Sequence, residues 1–221
     1  MIDLDRPLQQ YLDFPLHQLK SRNSWHGFED LEGDKRYEKI TARMCLSHTT
    51  GFQNWRSIPR PDDPENKKKL KIYTEPGTQY FYSGEGMTLL QYAIENITKK
   101  SIEELARKKV FEPFQMKNTS YLWQKRFDNK YCNGHTTRQR VIWKDKRDEA
   151  GAAYSMETNL IDYSIFVQQL MKQYKSGSRV TQHLFKPNFS IRTKAQFGPL
   201  SLQESSENDK IQLNYGLGWG L

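Results

Sequence analysis

The sequence predicts a folded protein that mixes helices with short strands, and three observations carry that prediction. Three stretches show helical periodicity, two others read as short strands, and 12 Tyr, 11 Phe and 5 Trp supply large side chains for packing. At 221 residues the chain is long enough to bury a core. Apolar residues make up only 36% of it and mean hydropathy is -0.89, so long, wet loops are expected between the elements.

Residues 1–20 read as a short amphipathic segment: Leu4, Leu8, Tyr11 and Leu12 share a face, and Pro7 is tolerable near a helix start. A polar, aromatic-containing loop follows. In "ITARMCLSHTTGF" Thr41 is the expected N-cap of a short helix, Ile40 lies just outside it, and Gly51 is the expected end of the unit. Several prolines, a lysine run and Pro76-Gly77 make 53–79 mostly loop and turn. Leu89, Leu90, Ala93, Ile94 and Ile97 then fall at helical spacing, giving a helix over about 86–98. Ser101-Ile102-Glu103-Glu104 has capping-box spacing and opens a second helix to about Val110, stopped by Pro113.

Within 120–150, Tyr131, Val141 and Trp143 suggest short strands. "AGAAYSMETNL" leads into a third helix, in which Tyr163, Phe166, Val167, Leu170, Met171 and Tyr174 recur at helical intervals. The faces at 89–97 and 163–174 are expected to be core. Lys175-Ser176-Gly177 closes the third helix, the glycine serving its C-terminus. The stretch 178–208 is polar and loop-rich, and "IQLNYGLGWGL" reads as the beginning of a strand with glycine interruptions. With no internal repeat and no linker, residues 1–221 read as one partial domain.

The formal charge of +8 raises the prospect of an anionic partner. The densest run, Lys67-Lys68-Lys69 with Lys71, is offset by Asp62, Asp63 and Glu65 and reads as a solvated loop. It comes without a helix-turn-helix, zinc-finger or RNA-binding signature, so no nucleic-acid partner is expected. Cys45 and Cys132 make no disulfide framework. His17, His26, His48, His135 and His183 are scattered, with no His-Glu-x-x-His or Cys-x-x-Cys, so no metal or other cofactor is expected. No apolar run approaches the roughly 20 residues of a spanning helix, so no transmembrane segment is expected. "MIDLDRPLQQYL" is not a basic-then-apolar leader, so no signal peptide is expected in these residues.

Taken in order, "LDRPLQQYL", "ITARMCLSHTTGF", "PGTQYFYSGEGMTLLQYAIENITKKSIEELARKKVFEPFQMKNTSY", "AGAAYSMETNLIDYSIFVQQLM" and "NYGLGWG" resemble a known family. It is the serine hydrolase superfamily of penicillin-binding proteins and class C β-lactamases, with its esterase and D-aminopeptidase relatives. Five segments in the family's order and rough spacing span nearly the whole chain. The resemblance implies an α+β fold, an antiparallel sheet flanked by helices beside a mostly helical lobe, matched here as an internal fragment incomplete at both ends. Exposed apolar edges and a tendency to aggregate are then expected where further strands would pair. An intact family member is expected in the periplasm or outside the cell.

The family's chemistry is acyl transfer through a serine ester, so the resemblance implies hydrolysis of an ester, amide, peptide or β-lactam through an acyl-enzyme, with a small-molecule or peptide substrate. It uses three motifs: a Ser-x-x-Lys nucleophile, a Tyr-x-Asn whose tyrosine relays protons, and a Lys-Thr-Gly or His-x-Gly on a neighbouring strand. A tyrosine at its ordinary pKa of about 10 is a poor base at neutral pH, and nearby ammonium groups favour the tyrosinate. By resemblance Tyr82 stands at the catalytic tyrosine, with Ser83 and Gly84 as the substrate-binding positions beside it. Gly84 replaces the usual asparagine, whose amide can bond both lysine and substrate, and glycine has no side chain to do either. That departure points away from β-lactam and peptide recognition.

No serine of this chain is followed three residues later by lysine; Ser57 and Ser176 have Arg60 and Arg179 there. The nucleophile is therefore expected upstream of "LDRPLQQYL" and the basic strand downstream of "YGLGWG". Two readings follow: a metal-free serine hydrolase whose nucleophile lies outside these residues, so that this chain alone is inactive, or a non-catalytic relative acting as a binding module. Ser83 as a nucleophile fails the Gly-x-Ser-x-Gly elbow, since Phe81 holds the first glycine position. Glu85 reads as a carboxylate stabilising the dipole of the helix it begins. His48-Thr49-Thr50-Gly51 imitates a His-x-Gly box but reads as a turn after a helix. Without the resemblance, Tyr82 beside Tyr80 and Phe81 would read as a packed aromatic.

Overall fold

A computed structural model describes residues 2–20, 27–58, 60–66 and 68–221. His26, Lys67 and the start of the polar loop after residue 20 lie outside the described residues. The ordered elements are α1 (Ala42–Leu46), α2 (Gly84–Thr98), α3 (Ile102–Ala106), β1 (Gly134–His135), β2 (Val141–Ile142), α4 (Leu160–Lys175), α5 (Arg179–Leu184), β3 (Phe189–Ser190) and β4 (Asn214–Tyr215). They fall into two compact units, one of residues 1–99 with 173–221 and one of residues 100–172.

The first unit holds the main core. Leu8, Leu16, Leu19, Phe28, Leu31, Ile40 and Phe52 are buried there against Leu89, Leu90 and Ala93 of α2. The α2 face is thus the one expected from its periodicity. The N-terminal segment is two 3-10 turns, Leu8–Tyr11 and Leu16–Gln18. Pro15 sits between them; a proline disfavours helical backbone in the residue before it and donates no N–H of its own. Leu8 and Leu12 are nevertheless buried as the pattern requires.

Thr41 caps α1, its Oγ1 accepting from the Met44 N–H at 3.2 Å. The helix ends before Gly51. The His48 N–H donates to the Cys45 carbonyl (3.4 Å) and the Thr49 N–H to that of Met44 (2.9 Å), with His48 left-handed at φ +56°. This is a Schellman closure with histidine where glycine is usual. Gly51 serves a separate turn at φ +82°, where an added Cβ would lie 2.2 Å from the Thr74 carbonyl oxygen.

The stretch 178–208 contains α5, which the sequence does not announce: Val180 is exposed, Thr181 is buried, and no apolar stripe marks the helix. The expected C-terminal strand is β4, antiparallel to β3 with Phe189 opposite Tyr215. Lys71 pairs with Asp63 and Arg60 with Asp62, while Lys68 and Lys69 are exposed.

In the second unit the Ser101 hydroxyl caps α3 by accepting from the Glu104 N–H (3.2 Å), and the Glu104 carboxylate turns to Lys108. The capping box is half formed. The helix continues as a π turn over Arg107–Phe111. Glu103 reaches across to the Ser120 hydroxyl (2.9 Å) and the Tyr121 N–H (2.6 Å). β1 and β2, two residues each, pair as an antiparallel hairpin near the expected strands, with Trp143 just outside it and largely exposed.

The face expected to be core at 163–174 needs correcting. On α4 only Asp162 and Leu170 are buried, and Tyr163, Met171 and Tyr174 are exposed. Periodicity reports that a helix has an apolar stripe and is silent on how much of it is covered. Asp162 is buried because it accepts from the Asn118 N–H (2.7 Å) and the Thr119 hydroxyl (2.9 Å). Gly177 closes α4 at φ +79°, with the Ser178 N–H on the Gln173 carbonyl (2.9 Å). No helix among the described residues is long and apolar enough to cross a membrane.

Candidate functional site

The site begins where extended backbone turns into α2. Residues 80–83 run beside His48: the Phe81 N–H donates to the His48 carbonyl (2.8 Å) and the Ser83 N–H to His48 Nδ1 (3.1 Å). Because side chains alternate in extended chain, Tyr80 and Tyr82 share a side, and both rings meet the imidazole. Tyr82 stacks on it at 4.0 Å between centroids, and Tyr80 meets it edge-on at 6.1 Å. The third ring is Tyr215 of β4, at 4.8 Å, whose hydroxyl lies 3.2 Å from His48 Nε2.

These contacts define the histidine. The Ser83 backbone N–H can only donate, so Nδ1 is the acceptor, and the neutral ring carries its proton on Nε2 and donates to Tyr215. Burial lowers the His48 pKa from 6.5 to about 4, so the ring is neutral at physiological pH. Burial also raises Tyr80 and lifts Tyr215 to about 12, with Tyr82 nearby adding to both. The left-handed backbone at His48 costs about 1–2 kcal/mol for an ordinary L-residue, and the three-tyrosine setting holds it there.

This depressed pKa gives a signed pH dependence. Between pH 6.5 and about 4 the unfolded chain binds a proton at His48 that the folded chain refuses. The histidine's contribution is therefore full above pH 6.5 and lost as pH falls through that window, by on the order of 3 kcal/mol. Urea midpoints measured from pH 7 to 4 are expected to fall more steeply for the native chain than for His48→Gln. Parallel curves would contradict the assignment.

Ser83 and its neighbours are built into the helix start. The Ser83 side chain is wholly buried; its hydroxyl accepts from the Gly86 N–H (3.0 Å) and donates to the Gln53 carbonyl (2.9 Å). Asn54 takes the next two free donors of α2, the Gly84 N–H on its side chain (2.9 Å) and the Glu85 N–H on its carbonyl (3.0 Å). Glu85 is fully buried and receives the Arg56 backbone N–H (2.8 Å), Nε (3.0 Å) and a terminal guanidinium nitrogen (2.9 Å). Its carboxylate thus does more than favour the dipole: it clamps the 53–56 loop to the helix.

Trp55 rides on that clamped loop. A Cβ added at Gly84 would lie 2.3 Å from the indole, so the Trp55 ring occupies the space a side chain at 84 would need. Beside it opens a cavity of about 110 Å3 walled mainly by Trp55, Ile58, Phe81, Tyr82, Phe197 and Leu202. Phe197 meets the Tyr82 ring in a T-shaped contact with centroids 4.8 Å apart, so this half-buried tyrosine is held between Phe197 and His48.

The structure thus places Tyr82 on the cavity wall, Ser83 beneath it as the helix cap, and Gly84 under the indole. Sequence reasoning did not find His48 as the platform for Tyr82, nor Trp55, Phe197 or Tyr215 around it. The quoted "NYGLGWG" held the only hint. Gly216 there is needed for close approach, since an added Cβ would lie 2.4 Å from the Leu184 carbonyl oxygen.

Comparison with known proteins gives the context. The β-lactamase family model matches residues 1–221. Over 109 residues the chain is 27% identical to an N-acetylmuramyl-L-alanine amidase of Bacillus subtilis (strain 168), a match covering 43% of this chain and 25% of the amidase. A D-alanine carboxypeptidase of Burkholderia cenocepacia superposes with a TM-score of 0.63 at 18% identity, covering 99% of this chain and 52% of that one. A class C β-lactamase structure gives 0.63 at 17%, with the same coverage. The fold is therefore of the β-lactamase and penicillin-binding type, and the chain spans about half the length of these solved relatives.

Proposed function

The chain belongs to the β-lactamase family, and from that premise we propose that it carries the proton-relay part of a serine acyl-transfer site. The reaction is hydrolysis of an ester, amide or peptide carbonyl through an acyl-enzyme. Its nucleophile is a serine outside these 221 residues. The observation that carries this reading is the fixed Tyr82 ring, stacked at 4.0 Å on a neutral histidine and exposed to a cavity at the start of α2.

In the reaction the serine hydroxyl attacks the carbonyl carbon, its proton passes to the Tyr82 phenolate, and the phenol then protonates the leaving group as the acyl–heteroatom bond breaks. Water repeats the cycle on the acyl-enzyme and returns the serine. Because His48 is neutral it sets the position of Tyr82 and adds no charge. The cation that favours the phenolate comes from the lysine groups of the flanking motifs. Ser83 serves as cap, with both its bonds inside the protein. The names of the relatives, an amidase and a carboxypeptidase, support a small-molecule or peptide substrate class.

The coding sequence on either side of residues 1–221 tests the proposal. An in-frame Ser-x-x-Lys upstream and a Lys- or His-x-Gly box downstream are expected. Stop codons with no upstream coding would leave the non-catalytic relative as the reading. The 221-residue chain alone is expected to take no label from a fluorescent penicillin. It is also expected to turn over p-nitrophenyl acetate and nitrocefin no faster than its Tyr82→Phe variant. A stoichiometric acyl adduct on any serine of this chain would contradict the proposal and point back to Ser83.

A further inference from the structure

We propose that Trp55 and Gly84 together make the subsite beside Tyr82 apolar, so that the substrate presents an aryl or branched alkyl group there and not an amide. The inference rests on the acyl-transfer reading for what happens to the substrate, and on separate observations for what binds. A side chain at position 84 and the indole of Trp55 cannot share one space, because a Cβ at 84 would sit 2.3, 2.6 and 2.7 Å from three indole ring carbons. Gly84 is not in the left-handed region, so the indole's approach, and not backbone conformation, accounts for the glycine.

The backbone that carries the indole is also held where it is. Asn54 and Arg56, the residues on either side, are fastened to the first turn of α2 by the Gly84 N–H, the Glu85 N–H and the buried Glu85 carboxylate. The backbone at Trp55 therefore cannot shift away without breaking bonds at the helix start. From there the indole faces a mostly apolar cavity, with Ile58, Phe81 and Phe197 on the same wall as Tyr82 and with Arg60, Gln196 and Ser201 also lining it. An amide set against the ring faces of Trp55, Phe81 and Phe197 and the Ile58 side chain would lose its water without gaining a partner there, a penalty of the kind buried polar groups incur. An aryl or alkyl group gains ring contacts and burial.

The 221-residue chain tests this without turnover, using two unreactive probes: 4-phenyl-2-butanone as the ester isostere and N-acetyl-D-alanine methylamide as the peptide arm. Indole N–H shifts in a 15N-labelled sample report binding. The ketone is expected to shift the Trp55 signal and to bind at least about tenfold tighter than the peptide, the factor an aromatic contact supplies. Trp55→Ala is expected to remove about tenfold of ketone affinity, Trp55→Phe to keep most of it, and Trp55→Ala with Gly84→Asn to reverse the preference. Equal or tighter peptide binding to the unsubstituted chain would overturn the proposal. So would unchanged ketone affinity in a folded Trp55→Ala chain. If Trp55→Ala fails to fold, the preference of the unsubstituted chain decides. Failure of the acyl-transfer reading appears elsewhere, as a missing serine adduct with ketone binding intact.

Discussion

Tyr82→Phe is expected to lower kcat for ester hydrolysis by about 10²–10⁴-fold, the range of a single proton-transfer group, in a polypeptide that carries the serine ahead of residues 1–221. The substitution removes one oxygen and keeps the ring that stacks on His48 at 4.0 Å and meets Phe197 at 4.8 Å. The fold and the cavity wall should survive, so KM should change little. Steady-state rates with p-nitrophenyl acetate check the split. A loss confined to KM would make Tyr82 a contact for the substrate and not a relay.

The second large effect concerns stability. Arg56→Ala is expected to destabilise the chain by about 3–5 kcal/mol, because it strands a buried carboxylate. Glu85 has 1% side-chain exposure and its partner Arg56 14%, so solvent offers neither charge much relief. Against a total of about 5–15 kcal/mol for an ordinary domain, that loss can unfold the protein. The control is Arg56→Met with Glu85→Leu, which removes both charges and is expected to cost less than either single change. Urea unfolding followed by circular dichroism reads both. An Arg56→Ala chain within about 1 kcal/mol of the parent would mean that the clamp is not coupled to folding.

What the sequence revealed was local. Thr41 and Ser101 cap α1 and α3 as their spacing indicates, and Leu89, Leu90 and Ala93 are buried as the α2 pattern requires. Five segments in family order also made the fold class legible, although the described strands are only two residues long and no single stretch announces a sheet. Contacts remote in the chain were not legible. His48 reads as a turn residue, and its ring acquires meaning through Tyr82 and Ser83, about 35 residues on, and Tyr215, 167 residues away.

The same limit applies to Gly84. Its departure from asparagine is visible in the sequence, whereas its cause is an indole 29 residues earlier that is brought alongside by the Arg56–Glu85 pair. The α4 stripe fails for the opposite reason: a clear pattern exists, but Tyr163, Met171 and Tyr174, half of it, lack cover. Ser83 drew attention for its chemistry, and its hydroxyl proves to be bonded twice within the fold.

The central claim is that Tyr82 moves the proton for a serine supplied from outside these residues. It is tested most directly by the rate of acyl-adduct formation, followed by intact mass, in the serine-bearing polypeptide with and without Tyr82→Phe. A single acyl group on the upstream serine, forming at least about 100-fold more slowly in the variant, is the expected result. Equal rates in the two proteins, or an adduct mapped to Ser83, would contradict it.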